Sequence, residues 1–111
     1  MNLSAWKSQL RKGAAELAVL AVLSRAERYG LQILEQIGGL DGLEISEGTI
    51  YPLLNRLQRD GKIESTWIEE AGASHPRKYY RITDDGAGFL QEMKTEWGSF
   101  ATSINRLLEE E

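Results

Sequence analysis

The hydrophobic pattern of this chain changes its period at Gly61, and that change limits the folds that the chain can adopt. Four apolar side chains before Gly61 follow the i, i+3, i+4, i+7 spacing of one buried helical face, namely Ile50, Leu53, Leu54 and Leu57. After Gly61, residues 62–69 and 77–83 are rich in β-branched and aromatic side chains, and a glycine-containing segment separates them. The sequence predicts a helix with its N-cap at Ser46 and its C′ residue at Gly61, followed directly by a two-stranded β-hairpin.

Three further helices are predicted upstream of Ser46. They cover residues 2–12, residues 14–23 and residues 29–37, with a weak break at Gly13 and a polar connection at residues 25–28. Because Glu16 is the one polar residue between positions 14 and 23, we expect the second of these helices to lie at the centre of the core.

The last predicted helix follows a cap at Thr83 and is about 26 residues or ~39 Å long. Six large apolar side chains recur along it at intervals of three and four residues, namely Leu90, Met93, Trp97, Phe100, Ile104 and Leu107. A small domain cannot cover so long a stripe, so the sequence predicts a homodimer. We expect three N-terminal side chains to join the same interface, namely Leu3, Trp6 and Leu10.

Charge and composition exclude several classes of function. The net charge is −4, but residues 1–83 carry 11 Lys/Arg against 10 Asp/Glu, and residues 84–111 carry 2 against 7, so the acidity belongs to the last helix. The chain has no cysteine and one histidine, His75, so we expect no disulfide, metal or other cofactor. It lacks a nucleophile–His–acid set and a phosphate-binding loop, which argues against an enzyme. The longest apolar run, residues 17–23, is too short to span a bilayer, and no signal-peptide pattern is present, so we expect a soluble cytoplasmic protein.

The predicted order of elements is four helices, a hairpin and a long helix, a mainly α fold with a small β-hairpin. Three compact helices followed at once by a hairpin are typical of the winged helix-turn-helix, in which the helix before the wing lies in the DNA major groove. The sequence therefore predicts a winged helix-turn-helix domain with an N-terminal helix over residues 1–83 and a dimerisation helix over residues 84–111.

Two stretches resemble the recognition helix and the wing of the PadR family of transcriptional regulators. The first is Ser-Glu-Gly-Thr-Ile-Tyr-Pro-Leu-Leu at residues 46–54, with Arg-Leu at 56–57 and Asp-Gly-Lys-Ile at 60–63. The second is Pro-Arg-Lys-Tyr-Tyr-Arg-Ile-Thr at residues 76–83 with Gly86 after it, and Tyr29-Gly30 matches a third family position. The size and the single C-terminal helix are similar to the short subfamily, which includes repressors of multidrug transporters. The resemblance implies a homodimeric repressor of a bacterial operon that releases DNA when a small molecule binds.

The helix face opposite the Ile50–Leu57 stripe carries groups suited to DNA. Arg and Asn make bidentate contacts with guanine and adenine edges, hydroxyl groups suit phosphates, and the basic residues of the wing suit phosphates as well. The candidate DNA-binding residues are Tyr29, Thr49, Tyr51, Asn55, Arg56, Arg59, Arg77 and Lys78. The alternatives are an ordinary solvated helix face, a hairpin with cross-strand packing, and a winged helix that binds proteins instead of DNA.

Trp97 lies midway along the apolar stripe of the last helix. In a symmetric dimer, a residue near the two-fold axis meets its own copy. The resemblance to multidrug-binding members of the family implies that two indoles so placed sandwich a flat aromatic ligand. The candidate effector-binding residues are Trp6, Met93, Trp97 and Phe100. The alternative is that Trp97 serves only as interface core.

Overall fold

The computed structural model of the protein describes residues 2–109, which form four α-helices and a three-stranded antiparallel sheet. The elements in chain order are α1 (Leu3–Leu23), β1 (Arg28–Tyr29), α2 (Gly30–Gly38), α3 (Glu47–Arg59), β2 (Ile63–Ile68), β3 (Arg77–Ile82) and α4 (Asp84–Glu109). The predicted fold class, mainly helical with a small β-hairpin before a long last helix, is confirmed.

The predicted break at Gly13 is wrong, because α1 runs through it as one helix of 21 residues. A glycine in a helix interior costs only about 1 kcal/mol relative to alanine, and its neighbours Lys12, Ala14 and Ala15 all favour helix. Three helices therefore precede the hairpin instead of four.

The sheet has one more strand than predicted. The two residues of β1 fall in the predicted polar connection and at the predicted start of a helix, but they pair with β3, Arg28 opposite Tyr80 and Tyr29 opposite Tyr79. A strand of two residues is too short to leave a periodic signal in the sequence. It joins the start of α2 to the hairpin, and the strand order is β1-β3-β2.

The core lies where the C-terminal half of α1 meets α2, α3 and the hairpin. Its fully buried side chains come from each of these elements and include Val19, Leu20, Ile33, Leu54, Leu57 and Ile63. Tyr80 of β3 closes the core and is 4% exposed, on the face of the hairpin that alternation shares with the buried Ile63 opposite Ile82. Outside the core, the Arg11 guanidinium donates to the Gly42 carbonyl (3.2 Å) and to Glu44 (3.3 Å), and so ties α1 to the loop before α3.

The long last helix begins as predicted. The Thr83 hydroxyl accepts a hydrogen bond from the Gly86 amide (3.0 Å) and donates to the Gly61 carbonyl (2.7 Å), which caps α4 and fastens it to the end of α3. Gly61 has a φ of +76°, as its predicted position after the helix requires.

The apolar stripe of α4 divides into two parts. Leu90 is 4% exposed and Met93 packs partly against the same core, so the assignment of Leu90 to a dimer interface is wrong. The reason is that the first two turns of α4 cross the core before the helix extends beyond it. From Trp97 onward the stripe is exposed, and so are Leu3, Trp6 and Leu10 of α1.

Gly86 provides the first test of this packing. A β-carbon at position 86 overlaps the backbone carbonyl of Lys62 and contacts Ile82, whereas one at Gly88 meets nothing within 4 Å. We expect Gly86→Ala to lower the free energy of unfolding by about 1–3 kcal/mol, as overpacking does. Gly88→Ala, the matched control on the same helix, should raise it by up to about 1 kcal/mol. Urea denaturation measures both, and equal stability of the two variants would contradict the close packing of α4 on Lys62.

Candidate nucleic-acid interface

The solvent side of α3 is the first part of the site. The buried stripe turns Ile50, Leu53, Leu54 and Leu57 inward and leaves Asn55 and Arg59, one turn apart, exposed on the other side. At the start of the helix, the Ser46 hydroxyl donates to that of Thr49 (3.3 Å), and Thr49 is half-buried. No acidic residue occurs between Glu47 and Asp60, so α3 itself adds no negative charge to this polar face over three turns.

Arg56 has an intramolecular partner that the sequence did not predict. Its guanidinium donates to Glu16 of α1 at 2.8 Å and lies 3.7 Å from Asp60. The hydrogen bond to Glu16 is the main reason that the pKa of Arg56 is raised above its ordinary value. Glu16, the isolated polar residue of the buried half of α1, thereby joins the middle of α3 to α1.

Tyr51 lies between α3 and the start of α2. Its ring covers Gly30, where a β-carbon would come within 2.5 Å of the ring, and its side chain remains 39% exposed. A side chain at position 30 would therefore displace the Tyr51 ring from this position. Tyr51 also lies near Tyr80, and the pKa of Tyr80 is raised, first by burial and then by this neighbour.

The outer face of the hairpin holds two of the predicted residues in one cluster. The Arg77 guanidinium lies 4.6 Å from the centre of the Tyr29 ring and is paired with Glu70 at 3.0 Å. The Tyr79 hydroxyl donates to the same carboxylate, and its ring meets that of Tyr29 edge-on at 5.3 Å. The hydrogen bond to Glu70 is the main cause of the raised pKa of Tyr79. The sequence did not predict the role of Glu70, because this residue belongs to a loop, where no periodicity shows which side chains meet.

Lys78 lies on the other face of the hairpin, because successive strand residues alternate in direction. Its ammonium group is 5.5 Å from the centre of the Tyr80 ring, toward the core side. The two predicted wing cations, Arg77 and Lys78, are therefore directed to opposite sides.

A second candidate site lies between α1 and α4. Trp97 stacks on Phe100 with ring centres 6.2 Å apart and lines two adjoining cavities of about 310 and 320 Å³. One is lined by Leu10, Arg11, Ala14, Leu17, Ala18, Ala21, Gly42, Leu43 and Trp97, and the other by Gly13, Ala14, Leu17, Met93, Glu96, Trp97 and Phe100. Three of the four predicted effector-binding residues thus meet there, and Trp6 is the one that lines neither cavity.

Two other kinds of site do not occur in the same part of the chain. Residues 2–109 bring no three His, Asp or Glu side chains close enough together to hold a metal ion. None of the helices in that range combines the length and the apolar character needed to cross a bilayer.

The fold and the motifs match known proteins. A family model described as "Transcriptional regulator PadR-like family" matches residues 19–92. The structure is similar to that of a PadR family transcriptional regulator from Eggerthella lenta DSM 2243, with a TM-score of 0.85 and 34% identity over 98% of this chain and 94% of that one. It is also similar to a PadR-like transcriptional regulator from Bacillus cereus strain ATCC 14579, with a TM-score of 0.83 and 39% identity over 93% and 99% of the two chains.

Sequence relatives include longer regulators. The chain is 35% identical over 67% of its length to the transcriptional activator GvpE of Haloferax mediterranei, and 33% identical over 76% to the transcriptional regulator YqjI of Escherichia coli. It spans 35% and 39% of the lengths of those two proteins. An uncharacterized protein X of Lysinibacillus sphaericus is 29% identical over 93% of this chain and 95% of that protein.

Proposed function

This chain belongs to the PadR-like family of transcriptional regulators, and from that membership we propose that it is a cytoplasmic, dimeric DNA-binding repressor that responds to a flat aromatic effector. The family assignment agrees with the resemblance found in the motifs of residues 46–63 and 76–83. Relatives whose names state a function are transcriptional regulators or activators, not enzymes.

The exposed face of α3 is the observation that carries the proposal of DNA binding. Asn55 and Arg59 are free to meet base edges, and Arg59 forms no ion pair within residues 2–109. Thr49 and Tyr51 lie nearer the start of the helix, where hydroxyl groups contact phosphates. Arg56 is the exception, because its bond to Glu16 gives it a role in holding α3 on α1.

We expect Asn55→Ala to lower the affinity for operator DNA by about 1–3 kcal/mol and to relax base specificity at one position, because Asn makes bidentate contacts with adenine. The measurement is a gel shift on duplex DNA from the region upstream of the protein's own gene. Asn105→Ala is the matched control, since Asn105 is exposed on α4. Equal affinity of the parent and Asn55→Ala would show that this face does not read bases.

The unpartnered apolar surface supports the proposal of a homodimer. Phe100 and Leu107 on α4 and Trp6 on α1 are each more than half exposed, at 59%, 68% and 57%. Full burial of a side chain such as Leu or Phe is favourable by roughly 1.5–3 kcal/mol, so a second copy that covers this surface stabilises the fold. In this proposal, residues 1–83 bind DNA, and residues 84–111 form the dimer together with the exposed apolar side chains at the start of α1.

Two aspartates on the stripe should separate the dimer. Ile104→Asp with Leu107→Asp places unpaired charge in the interface, and we expect a monomer in sedimentation equilibrium and weaker operator binding. Thr102→Asp with Asn105→Asp adds the same charge on the opposite side of α4 and should leave the dimer intact. A folded monomer of the unaltered protein would rule out the dimer.

The cavities beside Trp97 support the proposal of an aromatic effector. Their lining is apolar and includes a tryptophan, a phenylalanine and a methionine, which suits flat hydrophobic compounds better than charged metabolites. Because the α1–α4 region also sets the distance between the two copies of α3, a ligand held there biases DNA affinity. The size of this change in DNA affinity is set by the difference between the ligand's affinities for the two arrangements of the dimer.

Titration with a panel of planar aromatic compounds tests the effector site. We expect quenching of tryptophan fluorescence in the parent and much weaker binding by Trp97→Ala, with DNA binding largely retained. Trp67→Ala on the hairpin is the matched control and should bind the compounds like the parent. Should Trp97→Ala bind them unchanged, Trp97 is interface core and not part of an effector site.

A further inference from the structure

Trp67 of β2 is 67% exposed, more than any other aromatic side chain in residues 2–109. It belongs to none of the motifs and to neither candidate site. An indole is amphipathic and contributes a large apolar area, and tryptophan is enriched at interfaces for that reason.

The strand register gives the direction of this side chain. Ile63 at the start of β2 is buried, and alternation puts Ser65 and Trp67 on the same face. Across the ladder, Trp67 pairs with Lys78 and Ser65 pairs with the buried Tyr80. Trp67 and Lys78 therefore lie on the core-facing side of the hairpin, in the part that extends beyond the core.

This inner face of the hairpin is continuous with the recognition surface of α3. Tyr51 of α3 lies near Tyr80, and the Lys78 ammonium lies 5.5 Å from the Tyr80 ring centre. Tyr51 and Lys78 therefore both lie beside the buried Tyr80 ring, and Lys78 pairs with Trp67, so these three side chains lead from α3 to the hairpin.

Charge distinguishes the inner face from the outer one. On the outer face, Arg77 is paired with Glu70 and Arg81 with Glu64 at 2.6 Å. Lys78 forms no ion pair with any residue in the range 2–109. The unneutralised positive charge of the hairpin strands therefore lies beside the exposed indole.

We propose that Trp67 and Lys78 form a second DNA contact, on the inner face of the hairpin. The indole packs against deoxyribose at the edge of the minor groove next to the major groove that α3 occupies, and Lys78 contacts a neighbouring phosphate. Apolar side chains beside cations are a recurring means of binding the minor groove. The proposal rests on the proposed function. It assigns the DNA contact of the hairpin to the face opposite Arg77, because Arg77 is already paired with Glu70.

A variant with Trp6→Phe and Trp97→Phe leaves Trp67 as the one indole in the chain. Added duplex DNA from the upstream region should quench its fluorescence, with the midpoint seen in the gel shift. Trp67→Ala should weaken binding about tenfold without changing the salt dependence, since it removes an apolar group that carries no charge. Lys78→Gln should reduce the slope of log K against log salt by about 0.9 for each phosphate that is no longer neutralised.

Thr66→Ala, one residue away on the outer face, is the control and should change neither affinity nor slope. Trp67→Phe should recover part of the affinity, which separates an aromatic contact from a failure to fold. Binding of DNA by the parent and weaker binding by Asn55→Ala would support the proposed function. If, in that case, Trp67→Ala binds DNA like the parent, or the single indole keeps its emission at saturating DNA, this proposal is wrong and the proposed function stands. If the parent binds no duplex, both are wrong.

Discussion

The structure depends on the burial of the C-terminal half of α1. Val19 and Leu20 are wholly removed from solvent, and α2, α3, β3 and α4 all pack against this one helix. Two polar side chains of the same helix hold its neighbours in place. Glu16 accepts a hydrogen bond from Arg56 of α3, and Arg11 donates one to the loop before α3. The helix α1 also forms one wall of the cavities beside Trp97. Both α3 and the candidate effector site therefore pack against α1.

The sequence alone predicted those parts of the fold that repeat with a clear period. The stripe from Ile50 to Leu57, the two β-rich stretches after Gly61 and the cap at Thr83 each determine an element through local chemistry, and the structure has all three. The two-residue strand β1 and the continuity of α1 through Gly13 were not predicted. Both result from tertiary pairing and packing, which outweigh a weak local preference.

For the candidate DNA surface, the sequence predicted the chemical groups better than their partners. Asn55 and Arg59 are exposed as the helical wheel requires, but Arg56 is bonded to Glu16, 40 positions away, and Arg77 to a loop glutamate. Such pairs have no signature in a single sequence, because they depend on which elements meet in space. The position of Trp67 on the inner face likewise required the strand register.

The length of α4 has a mechanical consequence for the proposed dimer. The helix has 26 residues, so its far end lies ~39 Å from the cap at Thr83. Since Gly86 packs on Lys62 and Leu90 is buried in the core, the near end of α4 moves with the rest of the chain, and the helix acts as a lever arm. A tilt of about 5° at the far end then displaces the near end by ~3 Å, roughly the 3.4 Å rise of one base pair. In the proposed dimer, a ligand that wedged the two chains apart by a few degrees would therefore move each copy of α3 by about one base-pair step.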